Sequence, residues 1–175
     1  TNYSFEGLGR KRPYDYSRSG NPTRDLLAGA LTELEQGAGA VVTASGMAAV
    51  AVALELVPAD GLVLAAHDCY GGTWRLLDAW ARKKRFRVEF INLTDTAALA
   101  AGLALKPDMV WVETPSNPRL RVTDIRLVAQ AARAAGAPTV VDNTSPSPAL
   151  QQPPVLGADI ALDPTSQYII GARLI

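Results

Sequence analysis

Asp142 closes the apolar run Thr139-Val140-Val141 and is followed directly by Asn143 and Thr144. A carboxylate at the carboxyl end of a buried strand sits where an open α/β sheet places its ligand chemistry. There it can hold positive charge on a protonated ring nitrogen. Asp-Asn-Thr also reads as a turn in which the aspartate caps the residues that follow. Three more apolar runs end in polar clusters: Ser45-Gly46-Met47, His67-Asp68-Cys69-Tyr70 and Glu113-Thr114-Pro115-Ser116-Asn117. Four such ends predict one ligand crevice along one edge of a sheet.

Each cluster has a chemical and a plainer reading. Ser45-Gly46-Met47 lies between a strand and a helix, where freed N–H groups form an anion site and Gly46 allows close approach; it also fits an ordinary cap with a turn glycine. Tyr70 can stack on a flat ligand or sit as a rim aromatic. Asn117 can donate to a ring oxygen or simply turn the chain ahead of Pro118. Tyr16-Ser17-Arg18 belongs to a segment rich in Arg, Lys and Tyr whose guanidinium fork suits a phosphate, or which is a solvated arm. His67 is the single histidine and has no Cys/His spacing around it, so no metal site is expected. Cys69 reads as a buried small side chain rather than a nucleophile.

Alternating strands and helices must position these residues. Asn21-Pro22 opens a helix whose apolar face is Leu27, Ala30, Leu31 and Leu34, ended by Gly37. Residues 40–44 read as a short strand, and Met47, Val50, Ala51 and Leu54 as a helical stripe stopped by Pro58. Strands are expected over 62–66, 88–91, 110–112, 139–141 and 160–162, with helices over 73–83 and 95–105. A further helix is capped by Thr123, carries Ile125, Val128, Ala129 and Ala132 inward, and closes at Gly136. This pattern predicts an α/β fold with a mainly parallel sheet and helices on both faces.

The 175 residues are 48% hydrophobic, enough for a substantial core and against wholesale disorder. Seventeen basic and seventeen acidic residues cancel, leaving no global field to draw nucleic acid or an anionic membrane. The cluster Arg82-Lys83-Lys84-Arg85 reads as the cationic end of a helix. No apolar run reaches the ~18 residues of a membrane span. One cysteine precludes an internal disulfide and suits a reducing, cytoplasmic setting. A Gly-x-Gly-x-x-Gly turn and a phosphate loop ending in Lys-Ser/Thr are both missing, which argues against a nucleotide-binding domain. The start at Thr1 leaves a removed leader open, and the apolar end at Leu174-Ile175 reads as a chain cut inside a domain.

Five strings occur in order: Asp15-Tyr16-Ser17-Arg18-Ser19-Gly20-Asn21-Pro22-Thr23, Ser45-Gly46-Met47-Ala48-Ala49, His67-Asp68-Cys69-Tyr70-Gly71-Gly72-Thr73, Glu113-Thr114-Pro115-Ser116-Asn117-Pro118 and Val140-Val141-Asp142-Asn143-Thr144. Together they resemble the Cys/Met-metabolism family of pyridoxal-phosphate enzymes, and the third tilts toward its cystathionine γ-synthase branch over the related γ-lyases. The resemblance implies the large cofactor domain of that fold type over residues 21–175. It also implies an arm over 1–20 reaching a neighbouring subunit, and a C-terminal substrate domain absent here. It implies pyridoxal 5'-phosphate as cofactor and a homo-oligomer, a dimer or tetramer. The substrates implied are O-acylhomoserine with cysteine, or cystathionine. By residue, Gly46 and Met47 would bind the cofactor phosphate, joined by Tyr16 and Arg18 of a neighbour. Tyr70 would stack on the ring and help proton transfer, Asn117 would face the phenolic oxygen, Asp142 would pair with the ring nitrogen, and Thr144 would support that edge.

The match then breaks. The family pattern Ser-x-Thr-Lys-Tyr is met by Pro164-Thr165-Ser166-Gln167-Tyr168. Ser166 keeps a cofactor-binding hydroxyl, Pro164 replaces a phosphate-binding serine, and Gln167 stands at the covalent lysine. Its amide lone pair is delocalised, so it can neither bond the cofactor covalently nor shuttle protons. The lysines present, Lys11, Lys83, Lys84 and Lys106, all precede Asp142. Two readings follow: a transsulfuration enzyme whose catalytic amine is missing from this chain, or a non-catalytic, truncated paralogue that holds the cofactor noncovalently or only pairs with intact subunits.

Overall fold

A computed structural model describes residues 1–165. The chain divides into two compact units, Thr1–Val42 and a second beginning at Thr43.

The first unit holds helix α1, Pro22–Glu35. Asn21 Oδ1 accepts from the N–H groups of Thr23 and Arg24 at 2.9 and 3.2 Å, and Pro22 occupies the first turn, where its missing N–H costs nothing. The helix does not stop through Gly37. Gln36 takes the left-handed conformation at φ 52°, which lets the Gly37 N–H reach Thr32 O at 2.9 Å. The apolar stripe is covered only in part. Leu27 and Leu34 are 39% and 50% exposed, because the other backbone pairings of this unit are two isolated bridges, Asn2–Tyr16 and Gly7–Arg10, and they provide no second layer.

The second unit runs α2 (Gly46–Leu54), β1 (Leu62–Ala66), α3 (Gly71–Arg82), β2 (Arg87–Ile91), α4 (Thr96–Leu103), β3 (Met109–Glu113), α5 (Ile125–Ala134), β4 (Thr139–Asp142), α6 (Ser147–Leu150), a 3-10 turn at Pro153–Leu156 and β5 (Ile160–Leu162). Residues 40–44 form no strand: Val41 is largely exposed and no ladder among the described residues receives that segment. Asp124, not Thr123, caps α5, accepting from the Leu127 N–H. Thr123 instead pairs with Thr114, whose Oγ1 accepts its N–H at 2.9 Å. Two short elements, α6 and the 3-10 turn, escape a proline-as-breaker reading because their prolines sit in first turns.

All four strand pairings are parallel, in the order β2-β1-β3-β4-β5. Every link between consecutive strands passes through at least one helix, as parallel pairing requires. The order grows from β1 to β2 on one side, then from β3 through β4 to β5 on the other. The reversal puts a topological switch point between β1 and β3, where an open sheet splits to admit a ligand. The loops leaving those two strands begin at His67 and Thr114.

Strand residues alternate between two cores. Val63, Ala65, Trp111, Val140 and Leu162 pack with Val50 and Leu54 of α2 and Leu77 of α3. Leu64, Ala66, Val110, Val112 and Val141 pack with Leu99 of α4 and Ile125, Val128 and Ala132 of α5. A side chain such as Leu64, fully buried, contributes about 2 kcal/mol by leaving water. Gly102 lets α4 approach this closely: a Cβ there would lie 2.8 Å from Leu64 Cδ1. The sheet is thereby held rigid under its strand ends.

Candidate active site

Asp142 is the last residue of β4 and only 8% exposed. Its Oδ1 accepts from the Thr144 N–H at 3.1 Å and from the Thr144 hydroxyl. Its Oδ2 has no hydrogen-bond partner among the described residues. One oxygen caps the turn, as the plainer sequence reading expects. Burial pushes its carboxyl above the ordinary range, and the two Thr144 hydrogen bonds pull it back.

Beside it, in register across the ladder, stands Glu113 at the end of β3. Its Oε2 accepts the Tyr70 N–H at 2.5 Å. Burial, aided by Asp142 and Asp68, pushes Glu113 up to about 7 against the hydrogen bonds from the Tyr70 and Asn117 backbone. Tyr70 itself is the residue before α3, its ring packed over Gly72; a Cβ at Gly72 would collide with that ring and lie 3.0 Å from Met47 Sδ. A larger residue there would displace the Tyr70 ring, and at this glycine the starts of α2 and α3 meet. The N–H groups of Gly46 and Met47, in the first turn of α2, carry no partner among the described residues, while Ser45 Oγ serves the Ala48 N–H at 3.1 Å. Pro164 reaches the same end: a Cβ on Gly46 would lie 3.2 Å from its Cγ.

A cleft of about 610 Å³ opens at the switch point, lined by Asp68, Tyr70, Trp74, Arg75, Asn117 and Arg119 among others. Asn117 is exposed in a loop where the Thr114-Pro115 and Asn117-Pro118 bonds are cis. Asp68 ties that loop to the end of β1, its Oδ2 accepting from Ser116 Oγ at 2.8 Å. Behind Asp142, the fully buried Asn143 clamps the next turns. Its Nδ2 donates to Gln151 O at 2.9 Å and to Asp163 Oδ1 at 3.0 Å, and its Oδ1 accepts from Gln151 Nε2 at 2.9 Å.

The residues singled out from sequence distribute as follows. Gly46, Met47, Tyr70, Asn117, Asp142 and Thr144 all belong to the second unit: Gly46 and Met47 at the start of α2, Tyr70 just before α3, Asn117 and Thr144 in loops after β3 and β4, and Asp142 at the end of β4. Tyr16 and Arg18 belong to the first unit, where they meet each other: Arg18 Nη2 donates to Tyr16 Oη at 3.3 Å, and its Cζ lies 5.0 Å from the ring centroid. Ser166 and Gln167 lie outside the described residues. Cys69 is buried, and burial pushes its thiol up to about 12, which leaves it a packing residue rather than a thiolate. Sequence reasoning assigned no role to Glu113, Asp68, Asn143 or Gln151. The pairing of Glu113 with Asp142 was readable in principle, since each closes a neighbouring apolar run.

A model of the family described as Cys/Met metabolism PLP-dependent enzyme matches residues 1–174. The chain belongs to that family. It is 52% identical over 171 residues to cystathionine gamma-synthase of Escherichia coli K12, covering 97% of this chain and 44% of that protein. It is 41% identical to a cystathionine beta-lyase of Lactococcus lactis subsp. cremoris, again over 97% of this chain and 44% of the relative. Among solved structures it matches cystathionine gamma synthase from Xanthomonas oryzae pv. oryzae, in complex with aminoacrylate and cysteine. The TM-score is 0.94 at 54% identity, over 99% of this chain and 45% of that one. The chain spans less than half the length of these relatives.

The cofactor of this Cys/Met metabolism family is pyridoxal phosphate, and the residues present fit its two ends. At the ring end, a buried carboxylate offers an unshared oxygen, suited to a protonated pyridine nitrogen. At the other, two unpartnered N–H groups at a helix N-terminus suit a phosphate. Pro164 adds no donor there.

Proposed function

We propose that this chain is the pyridoxal-phosphate-binding portion of a transsulfuration enzyme of cystathionine γ-synthase type, and that it holds the cofactor noncovalently. The observation that carries the reading is Asp142, a buried carboxylate at a strand end with one oxygen fixed by Thr144 and the other open. Bound there, pyridoxal phosphate supplies a cationic ring that accepts the electron pair left at a substrate's α-carbon. Asp142 Oδ2 holds the ring nitrogen. Thr144 keeps that carboxylate oriented, the Tyr70 ring covers one face, and the Asn117 amide meets the phenolic oxygen. Gly46 and Met47 N–H groups hold the phosphate, with Tyr16 and Arg18 from a neighbouring copy in a homo-oligomer; Ser166 lies outside the described residues. Residues 1–20 are the arm that carries that pair, and 21–175 the cofactor domain.

The reaction of the type is γ-replacement on an O-acyl-L-homoserine by cysteine to give cystathionine. Support comes from the identity to γ-synthases and from a Xanthomonas oryzae structure of that enzyme in complex with cystathionine. The cytoplasm is its setting on this reading, and no helix among the described residues is long and apolar enough to cross a membrane. Gln167 removes the amine that would bond the cofactor and carry protons, so this chain does not turn over substrate by itself. Gln167 and Pro164 together favour a second reading, a non-catalytic paralogue that associates with intact subunits.

Absorbance titration of the purified protein with pyridoxal phosphate tests the proposal. Saturable binding that dialysis reverses is the expected result, weakened in Asp142→Ala. Failure of the protein to bind the cofactor at any concentration would sink the first reading, and co-purification with an intact relative would then favour the second.

A further inference from the structure

Glu113 is buried, yet it is neither a core residue nor one of the groups placed against the cofactor. Its carboxylate lies at the end of β3, the strand on one side of the switch point, and reaches the segment after β1 on the other side. There it accepts the N–H of Tyr70, at the mouth of α3, in a hydrogen bond of 2.5 Å. The Asn117 backbone, from the loop following β3, pulls the pKa of the same carboxyl down. One side chain on β3 therefore holds the backbone of a residue on the other side of the switch point. Tyr70, the residue before α3, makes no side-chain capping hydrogen bond, and the Glu113 carboxylate holds its backbone N–H. The ring itself is half-exposed and lies against Gly72.

Resting on the pyridoxal-phosphate reading above, we propose that Glu113 is a positioning residue: by accepting the Tyr70 N–H it sets the Tyr70 ring over the cofactor crevice. A glutamine at 113 can keep that acceptor through its carbonyl oxygen, whereas alanine cannot. The two substitutions therefore separate the hydrogen bond from the volume and charge of the side chain.

The experiment compares Glu113→Gln and Glu113→Ala in the purified protein, with two readouts. The first needs no cofactor: amide hydrogen exchange at Tyr70. The second is the dissociation constant for pyridoxal phosphate, from absorbance and from the induced circular dichroism that reports how the ring is held. The expected result is a roughly tenfold or greater loss in both for Glu113→Ala, the scale of a lost hydrogen bond to a charged group. Glu113→Gln should keep Tyr70 protection and most of the affinity. Unchanged exchange at Tyr70 in Glu113→Ala overturns the proposal, and so does faster exchange with unchanged affinity and dichroism. Should Glu113→Ala not fold, replacing the Tyr70 peptide N–H by an ester oxygen removes the same donor and keeps both side chains; equal affinity then overturns the proposal. If the parent protein binds no cofactor, the function proposed above fails, while Tyr70 exchange still decides whether Glu113 holds that residue.

Discussion

Glu113 and Asp142 are register partners on adjacent parallel strands, the last residues of β3 and β4, and both are buried, at 6% and 8% exposure. Two carboxyl groups thus stand side by side at the crevice with no basic side chain paired to either among the described residues. Such an arrangement is costly when both are ionised, and becomes useful when a cationic ring is placed between protein and solvent.

The protein should lose stability as pH rises from about 4.5 to about 7. Glu113 moves from 4.5 up to about 7 on folding, through burial first and then through Asp142 and Asp68, against the Tyr70 and Asn117 N–H groups. Between those values the folded state binds more protons than the unfolded one, so unfolding becomes easier with each added pH unit. The loss reaches at most about 3 kcal/mol. The raised carboxyl of Asp142 adds in the same direction. Urea unfolding at pH 5, 6, 7 and 8 checks this. Glu113→Gln should flatten most of the decline, and a wild-type protein that gains stability from pH 5 to 7 would contradict the buried pair.

Asp142→Asn separates the two duties of that side chain. The amide oxygen can still accept from Thr144 and keep the turn, but the amide carries no charge to stabilise a protonated ring nitrogen. Affinity for pyridoxal phosphate should fall by about tenfold or more, with little change in unfolding midpoint. Asp142→Ala should lose the affinity and also the turn, at about 1 kcal/mol of stability. Equal affinity in wild type and Asp142→Asn would place the cofactor elsewhere.

Much of this architecture is legible in the sequence, for identifiable reasons. The central strands β1, β3 and β4 are buried on both faces and read as apolar runs; 62–66 coincides with β1, and the Ile125, Val128, Ala129, Ala132 stripe is buried as its spacing requires. Asn21 and Ser45 cap as their types suggest. Where the reading fails, tertiary context overrides a local rule. Gly37 is glycine, yet Gln36 takes the left-handed stop; Thr123 has a capping side chain, yet Thr114 claims its backbone. The site is half legible: Asp142, Tyr70 and Gly46 stand at strand ends or helix starts where a pattern reveals them. Glu113 owes its role to Tyr70, a residue 43 positions away, and the Asn143–Gln151 clamp depends on a turn that prolines disguise.

Asn143→Ala should cost about 2–3 kcal/mol, more than an average substitution, since it removes a fully buried side chain and strips partners from the half-buried Gln151 amide and Asp163. Because the clamp also holds the turn after Asp142, cofactor affinity should fall with it. Chemical unfolding measures the first effect and absorbance titration the second. Loss of stability without any loss of affinity would show the clamp to be scaffolding alone.

Gln167→Lys restores a primary amine at the position where the family bonds its cofactor. If the rest of the pocket is intact, the variant alone should develop a visible absorbance band that survives dialysis and disappears on borohydride treatment, while the parent protein shows reversible binding only. Combining it with Asp142→Ala should abolish retention, because an amine without the ring-nitrogen partner bonds an unanchored aldehyde. A more stringent form adds Pro164→Ser, which removes the ring lying against Gly46 and supplies a hydroxyl donor beside the α2 N-terminus; affinity should rise further by several-fold, as one added hydrogen bond to an anion predicts. Were Gln167→Lys to bind no more tightly than the parent while Gln167→Lys with Pro164→Ser did, the proline, rather than the glutamine, would be the change that cost this chain its hold on the cofactor.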